Sequence, residues 1–168
     1  AAGHYLATRK FPCVYMQNSG IGNAVNPICS LTHKAVYAIP MVFVIGGRGE
    51  PGVKDEPQHV FQGQITREML ELLDIPHVVL GPDTEQGAFV RQFVFLTRHL
   101  REGKSIAVLV KKGALEPVPP PAGCQDNGYP LSREEAIEAI LAAAGERDMV
   151  VSSTGKISRE VFEIRERR

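Results

Sequence analysis

Two short runs in the chain are apolar without alternation. They are Met41-Val42-Phe43-Val44-Ile45, entered from Pro40, and Ile106-Ala107-Val108-Leu109-Val110, entered from Ser105. A strand with one wet face alternates apolar and polar residues. A run that does not alternate is covered on both faces, as in a parallel sheet. Val14-Tyr15-Met16 and Val78-Val79-Leu80 read as two further short strands. Helical patterns lie between them. Ala1 to Thr8 reads as the end of a helix. Residues 22–33 read as another, with Asn26 and Pro27 fitting an N-cap and first helical position. Thr66 is expected to cap the helix carrying Met69, Leu70, Leu72 and Leu73, and Asp83 with Gln86 to form a capping pair. The next helix carries an apolar stripe of Phe89, Phe93, Leu96 and Leu100, with Val90 and Val94 beside it. Strands alternating with helices in this way argue for a doubly wound or related three-layer α/β fold.

The pattern changes after Lys111. Pro117, Pro119, Pro120, Pro121 and Pro130 mark a linker over 113–130. Leu131, Ser132 and Glu135 then form a hydrophobic residue and capping box, followed by a helix with Ile137, Ile140, Leu141 and Ala144 on its apolar face. Met149-Val150-Val151 reads as a strand, and Ser158 to Arg165 as the start of a helix. The expected organisation is therefore 1–112, a linker over 113–130, and a second unit over 131–168.

Charge excludes some functions. The 19 Lys+Arg balance the 19 Asp+Glu, so no global field favours nucleic acid. No apolar run approaches the ~20 residues that cross a bilayer, and no membrane partner is expected. Cys13, Cys29 and Cys124 form no disulfide framework; a reducing, cytoplasmic setting is the simpler reading, with Cys13 and Cys29 as small core residues.

Three glycine turns follow expected strands: Asn18-Ser19-Gly20-Ile21-Gly22-Asn23, Gly46-Gly47-Arg48-Gly49 and Ser152-Ser153-Thr154-Gly155-Lys156. Ligands of open α/β sheets bind beyond the carboxyl ends of the strands, where such turns lie. None is a dinucleotide fingerprint or a P-loop: Val25 stands where GxGxxG needs its third glycine, and Val150 where a P-loop needs its first. The stretch Arg48 to His59 is rich in donors and acceptors and poor in core residues. Arg48 follows a strand directly, and its fork suits a phosphonate or carboxylate. Lys54 and His59 are candidates to add positive charge, and His59 is also a candidate to move a proton. No zinc-hydrolase or serine-hydrolase motif is present.

The runs Gln17 to Pro27, Arg48 to His59 and Ser153 to Glu160 together resemble the thiamine-diphosphate-dependent decarboxylases, in particular the phosphonopyruvate decarboxylases. The resemblance implies a three-layer parallel-sheet thiamine-diphosphate-binding fold, incomplete at both ends. Residues 1–112 would form the pyrimidine-binding domain without its beginning, and 131–168 the beginning of the diphosphate-binding domain. It implies conversion of 3-phosphonopyruvate to phosphonoacetaldehyde and CO2, with thiamine diphosphate and Mg2+. Asn18, Ser19, Gly20, Gly22, Asn23, Thr154, Gly155 and Lys156 would face the cofactor, and Arg48, Lys54, Asp55 and His59 the substrate. The family's glutamate would lie upstream of Ala1 and its metal motif beyond Arg168. On that reading this stretch contains no catalytic residue or metal ligand and is inactive alone, and it works in a homo-oligomer or with a complementary subunit. Two other readings stay open: part of a sulfopyruvate decarboxylase, and a non-catalytic chain that pairs with a decarboxylase.

Overall fold

The computed structural model describes residues 1–119, 128, 130–145, 147–152 and 155–167. Two compact units divide the chain, Ala1–Pro117 and Val118–Arg168.

The first unit is built on four parallel strands: β1 (Cys13–Gln17), β2 (Val42–Gly46), β3 (His77–Leu80) and β4 (Ile106–Val110). Their order across the sheet is β1-β2-β4-β3. The register pairs Val44 with Tyr15 on one side and with Val108 on the other. The unalternating runs are thus the two central strands. Ile106 and Ala107 are fully buried, and Ile45 nearly so.

Helices pack on both faces. On one, Ile21, Ile28, Leu70 and Leu73 meet Phe43, Ile45, Ala107 and Leu109. These come from α2 (Ile21–Pro27) with the turn after it and from α3 (Pro57–Leu72) with the residue beyond it; Tyr5 of α1 (Ala2–Thr8) joins the same cluster. On the other face, Leu96 and Leu100 of α4 (Gln86–Arg101) pack on Val78, Ile106 and Val108, flanked by Phe89 and Phe93. Val90 and Val94 of α4 are exposed. The architecture is an α/β fold with a parallel sheet, as the strand pattern leads one to expect. Among the described residues no helix is long and apolar enough to cross a membrane.

Several local expectations are corrected. Pro27 does not start a helix; it is the last residue of α2, which begins at Ile21 after a single tight turn, Asn18–Gly20. Proline has no N–H for the helical ladder, and the chain beyond it widens. The His33 N–H reaches back five residues to the Ile28 carbonyl at 2.9 Å. Thr66 does not cap α3 but lies inside it, because the helix starts at Pro57, a residue suited to the first position. The cap of α4 is Glu85 rather than Asp83. Its carboxylate accepts from the Gly87 and Ala88 N–H groups, both at 2.6 Å, which also places negative charge at the helix N-terminus. Cys13 and Cys29 are exposed. Cys13 alternates with Val14 onto the open face of an edge strand, where Tyr15 is also 79% exposed.

In the second unit, α5 (Arg133–Ala143) starts with the expected capping box of Ser132 and Glu135. It packs against α6 (Lys156–Glu166) through Ile137, Leu141 and Ile164. Arg133 clasps the Glu160 carboxylate with Nε (2.8 Å) and Nη2. α6 begins two residues before the expected Ser158. Met149 to Val151 is not a strand: Met149 and Val151 are about nine-tenths exposed, and no strand lies beside them among the described residues. A strand without a neighbour leaves its backbone groups to water.

The approach of α3 to the loop after β2 sets the shape of the carboxyl edge. A Cβ on Gly63 would lie 1.9 Å from the Gly49 carbonyl oxygen and 2.6 Å from that of Arg48. Gly49 has φ 69°, and a Cβ there would meet the His59 carbonyl oxygen at 1.8 Å. The contact is backbone against backbone and admits no side chain at either position. Gly63→Ala is therefore expected to destabilise the protein by about 1–3 kcal/mol through overpacking. Gly22→Ala, whose Cβ meets nothing within 4 Å, is expected to be neutral or slightly stabilising. Urea denaturation midpoints of the two variants check this; equal midpoints would show that the close approach is not rigid.

Candidate functional site

The carboxyl ends of β1, β2 and β4 open onto a cavity of about 300 Å³. Asn18 enters it from the end of β1, Gly47 and Arg48 from the end of β2, Lys111 from the end of β4, and Gly63, Thr66 and Arg67 from α3. A second cavity of about 360 Å³ lies against the loop and is lined by Val53, Lys54, Asp55 and Lys112. Gly47, Arg48 and Glu50 border both.

Asn18 holds the edge together. It is 1% exposed. Its Nδ2 donates to the Arg48 carbonyl at 2.9 Å and to Thr66 Oγ1 at 3.0 Å. Thr66 in turn donates to the Gln62 carbonyl at 2.6 Å, which leaves its oxygen free to accept. The Asn18 carbonyl accepts from Gln62 Nε2 at 3.0 Å. The network fixes the amide's orientation, because the Arg48 carbonyl can only accept. Asn18 Oδ1 is left as the one buried side-chain N or O atom without a hydrogen-bond partner among the described residues. Such an atom costs free energy unless something donates to it.

Arg48 sits where a post-strand arginine is expected, but half of its fork is engaged. Nε donates to both Asp55 oxygens (3.1 and 2.8 Å), and Nη2 donates to Oδ1. Asp55 also accepts from the Gly49 N–H at 2.8 Å and from its neighbour Glu56 N–H at 2.8 Å. Asp55 is thus the clasp of the loop. Bonding to Arg48 first, then to the Gly49 N–H, holds its carboxyl far below the usual range, against an opposing contribution from burial. Asp55 likewise pushes the Arg48 guanidinium up. Nη1 of Arg48 makes no hydrogen bond among the described residues and remains available.

The other expected site residues scatter. Lys54 is exposed and lines the loop cavity. His59 lies in the first turn of α3 and lines neither cavity. Ser19, Gly22 and Asn23 are exposed on the turn and helix after β1, and Gly20 packs on Met16. Of the group 18–23 only Asn18 borders the cavity. In the second unit Gly155 has φ 137° and Lys156 begins α6. Thr154 and Cys124 lie outside the described residues. Arg67 and Lys111 border the cavity without having stood out in the sequence, and Thr66 stood out only as a helix cap. Arg67 and Thr66 sit in a regular helix with no motif around them, and Lys111 stands at the end of an apolar run. Only the rule that function gathers beyond strand ends would have found Lys111. Among the described residues no three His, Cys, Asp or Glu side chains gather as a metal ion would require.

No family model matches the chain. It is similar to a phosphonopyruvate decarboxylase of Streptomyces viridochromogenes, with 36% identity over 180 aligned positions covering 99% of this chain and 45% of the relative. A phosphonopyruvate decarboxylase of Streptomyces hygroscopicus is 35% identical over 184 positions, again 99% of this chain, and 44% of that relative. A sulfopyruvate decarboxylase subunit alpha of Methanococcus maripaludis is 40% identical over 87 positions, 52% of this chain and 48% of that subunit. The chain is thus homologous to phosphonopyruvate decarboxylases along its whole length and spans less than half of theirs.

The clasp has a pH signature. The Asp55 carboxyl is depressed in the folded protein, so its contribution is complete above the ~3.9 of an unperturbed aspartate and is lost only as pH falls through the lower folded value. An NMR titration of the Asp55 carboxyl carbon is expected to show a midpoint below that of a free aspartate. Asp55→Asn is expected to speed hydrogen exchange at the Gly49 amide. A normal midpoint with unchanged exchange would mean that the clasp is not formed.

Proposed function

We propose that the chain forms part of a thiamine-diphosphate-dependent decarboxylase that converts 3-phosphonopyruvate to phosphonoacetaldehyde and CO2. The observation that carries this reading is the match to phosphonopyruvate decarboxylases along 99% of the chain. The sulfopyruvate relatives match only 52–66% of it. On this reading the first unit, with its parallel sheet and helices on both faces, is the pyrimidine-binding domain of the three-layer fold. Residues 113–130 are the linker and 131–168 begin the diphosphate-binding domain.

The turn after β1 suits a cofactor. Gly22 has nothing within 4 Å of where a Cβ would stand, and Ser19 and Asn23 are exposed beside it. Asn18, Ser19, Gly20, Gly22 and Asn23 would hold one end of thiamine diphosphate. In the second unit, described by itself, Gly155 and Lys156 at the start of α6, with Thr154 next to them in sequence, are the residues proposed to meet a diphosphate group. The bound cofactor supplies an electron sink for the pair released with CO2. Magnesium does not fit the described residues, among which no three His, Cys, Asp or Glu side chains gather.

The chain's own residues bind and orient the substrate. Its carboxylate and phosphonate both need positive partners. Arg48 is held in one rotamer by Asp55 and keeps Nη1 for an anionic oxygen. A group pre-aimed in this way loses little entropy on binding. Lys54 adds a mobile charge, and His59 a further polar group at the base of the loop. Exposed apolar residues near the edge, Tyr15 on β1 and Phe61 on α3, suit an interface with another subunit.

Turnover of phosphonopyruvate and of sulfopyruvate by the full-length protein with thiamine diphosphate and Mg2+ tests the reading. Phosphonopyruvate is expected to be preferred, and Arg48→Ala to lower kcat/KM by at least about tenfold. The 40% identity to the sulfopyruvate subunit supports the second reading, which a preference for sulfopyruvate would establish. No turnover of either would overturn both.

A further inference from the structure

Three cations border the main cavity, and they differ in what already engages them. Arg48 is clasped by Asp55. Lys111 is paired with Glu50. Arg67, on α3, has no ion pair or hydrogen bond among the described residues although it lines the cavity. Glu50 is the one carboxylate in that lining. With Arg48 paired to Asp55 and Lys111 to Glu50, the positive charge of that lining left without a counter-ion among the described residues is Arg67, on α3.

We propose that Arg67 and Lys111 form an oxyanion subsite that takes a tetrahedral dianion of the phosphonate or phosphate class, and that Glu50 occupies Lys111 until such an anion arrives. Lys111 and Glu50 are both partly exposed, with 41% and 29% of their side-chain surfaces open. An ion pair in such a setting contributes little, so exchanging one anion for another is cheap. Arg67 approaches from a different element, and its planar fork matches two oxygens of a tetrahedral group. A monocarboxylate would gain less from two cations and would still face Glu50. The subsite thus favours the more highly charged anion. It deepens the decarboxylase reading by naming the residues that meet the phosphonate, and rests on that reading only for the identity of the substrate.

Calorimetric titration of the full-length protein with methylphosphonate, inorganic phosphate and acetate tests it, with turnover of phosphonopyruvate measured separately. Methylphosphonate and phosphate are expected to bind more tightly than acetate, and binding to weaken with salt. Arg67→Ala and Lys111→Met are each expected to weaken methylphosphonate about tenfold. Glu50→Gln is expected to tighten it. Arg98→Ala removes a positive charge from α4, on the other face of the sheet, and is expected to change nothing. Both readings have their own failures. Binding that is absent, or indifferent to both Arg67→Ala and Lys111→Met, overturns the subsite even if phosphonopyruvate is turned over. Binding that depends on these residues without turnover leaves the subsite standing and sinks the decarboxylase reading.

Discussion

The carboxyl edge of the sheet depends on one buried amide. Asn18 joins three elements that are far apart in sequence: the end of β1, the loop after β2 and the middle of α3. Its Nδ2 serves two acceptors, and its backbone carbonyl takes a third bond. Replacing it with an apolar residue would strand the Arg48 carbonyl, at a cost of about 1–3 kcal/mol for a buried group left unpaired. The same amide holds the Arg48 backbone in place, and Asp55 then fixes the Arg48 side chain. The aim of the guanidinium thus rests on a chain of hydrogen bonds that begins in the core. The glycines at 49 and 63 make that chain possible by letting the loop and helix touch without side chains between them.

The two edges of the sheet are built for different purposes. At the amino edge, residues just before the strands close on one another. Lys104 donates to Asp74 at 2.6 Å, with Lys34 and His33 within 4 Å of the same carboxylate. Bonding to Lys104 holds the Asp74 carboxyl below its ordinary value. That edge pairs these charges with one another. The carboxyl edge differs: among the described residues it leaves Arg67 without a partner, half of the Arg48 fork unused and an acceptor without a donor. Unsatisfied charge and hydrogen-bonding capacity beside a cavity is what distinguishes a binding edge from a structural one.

What the sequence discloses follows from how local each signal is. The buried strands are legible because covering both faces removes alternation, as at Met41 to Ile45. The cap at Ser132 and Glu135 is legible because both partners lie within one turn. Thr66 misleads because its hydroxyl serves a residue 48 positions away rather than the start of its own helix. Pro27 misleads because tertiary packing tolerates it at the end of α2. Cys13 looks like a core residue until the sheet order makes β1 an edge. Arg48 could be singled out from its position after a strand, but its pairing with Asp55 turns on the fold of the intervening loop. Arg67 and Lys111 carry no motif at all; only the sheet brings them to one cavity. The cofactor assignments at 18–23 and 154–156 stand on resemblance, and nothing local in those residues specifies thiamine diphosphate.

The central claim is that the cavity beyond β1, β2 and β4 receives the phosphonate. A crystal structure of the full-length protein with a phosphonate ligand tests it most directly. Tetrahedral density between Arg67, Lys111 and the open edge of Arg48, with Asp55 still bound to Arg48, is the result this account predicts. Density seated elsewhere in a fully loaded crystal, with that cavity occupied only by solvent, would contradict it.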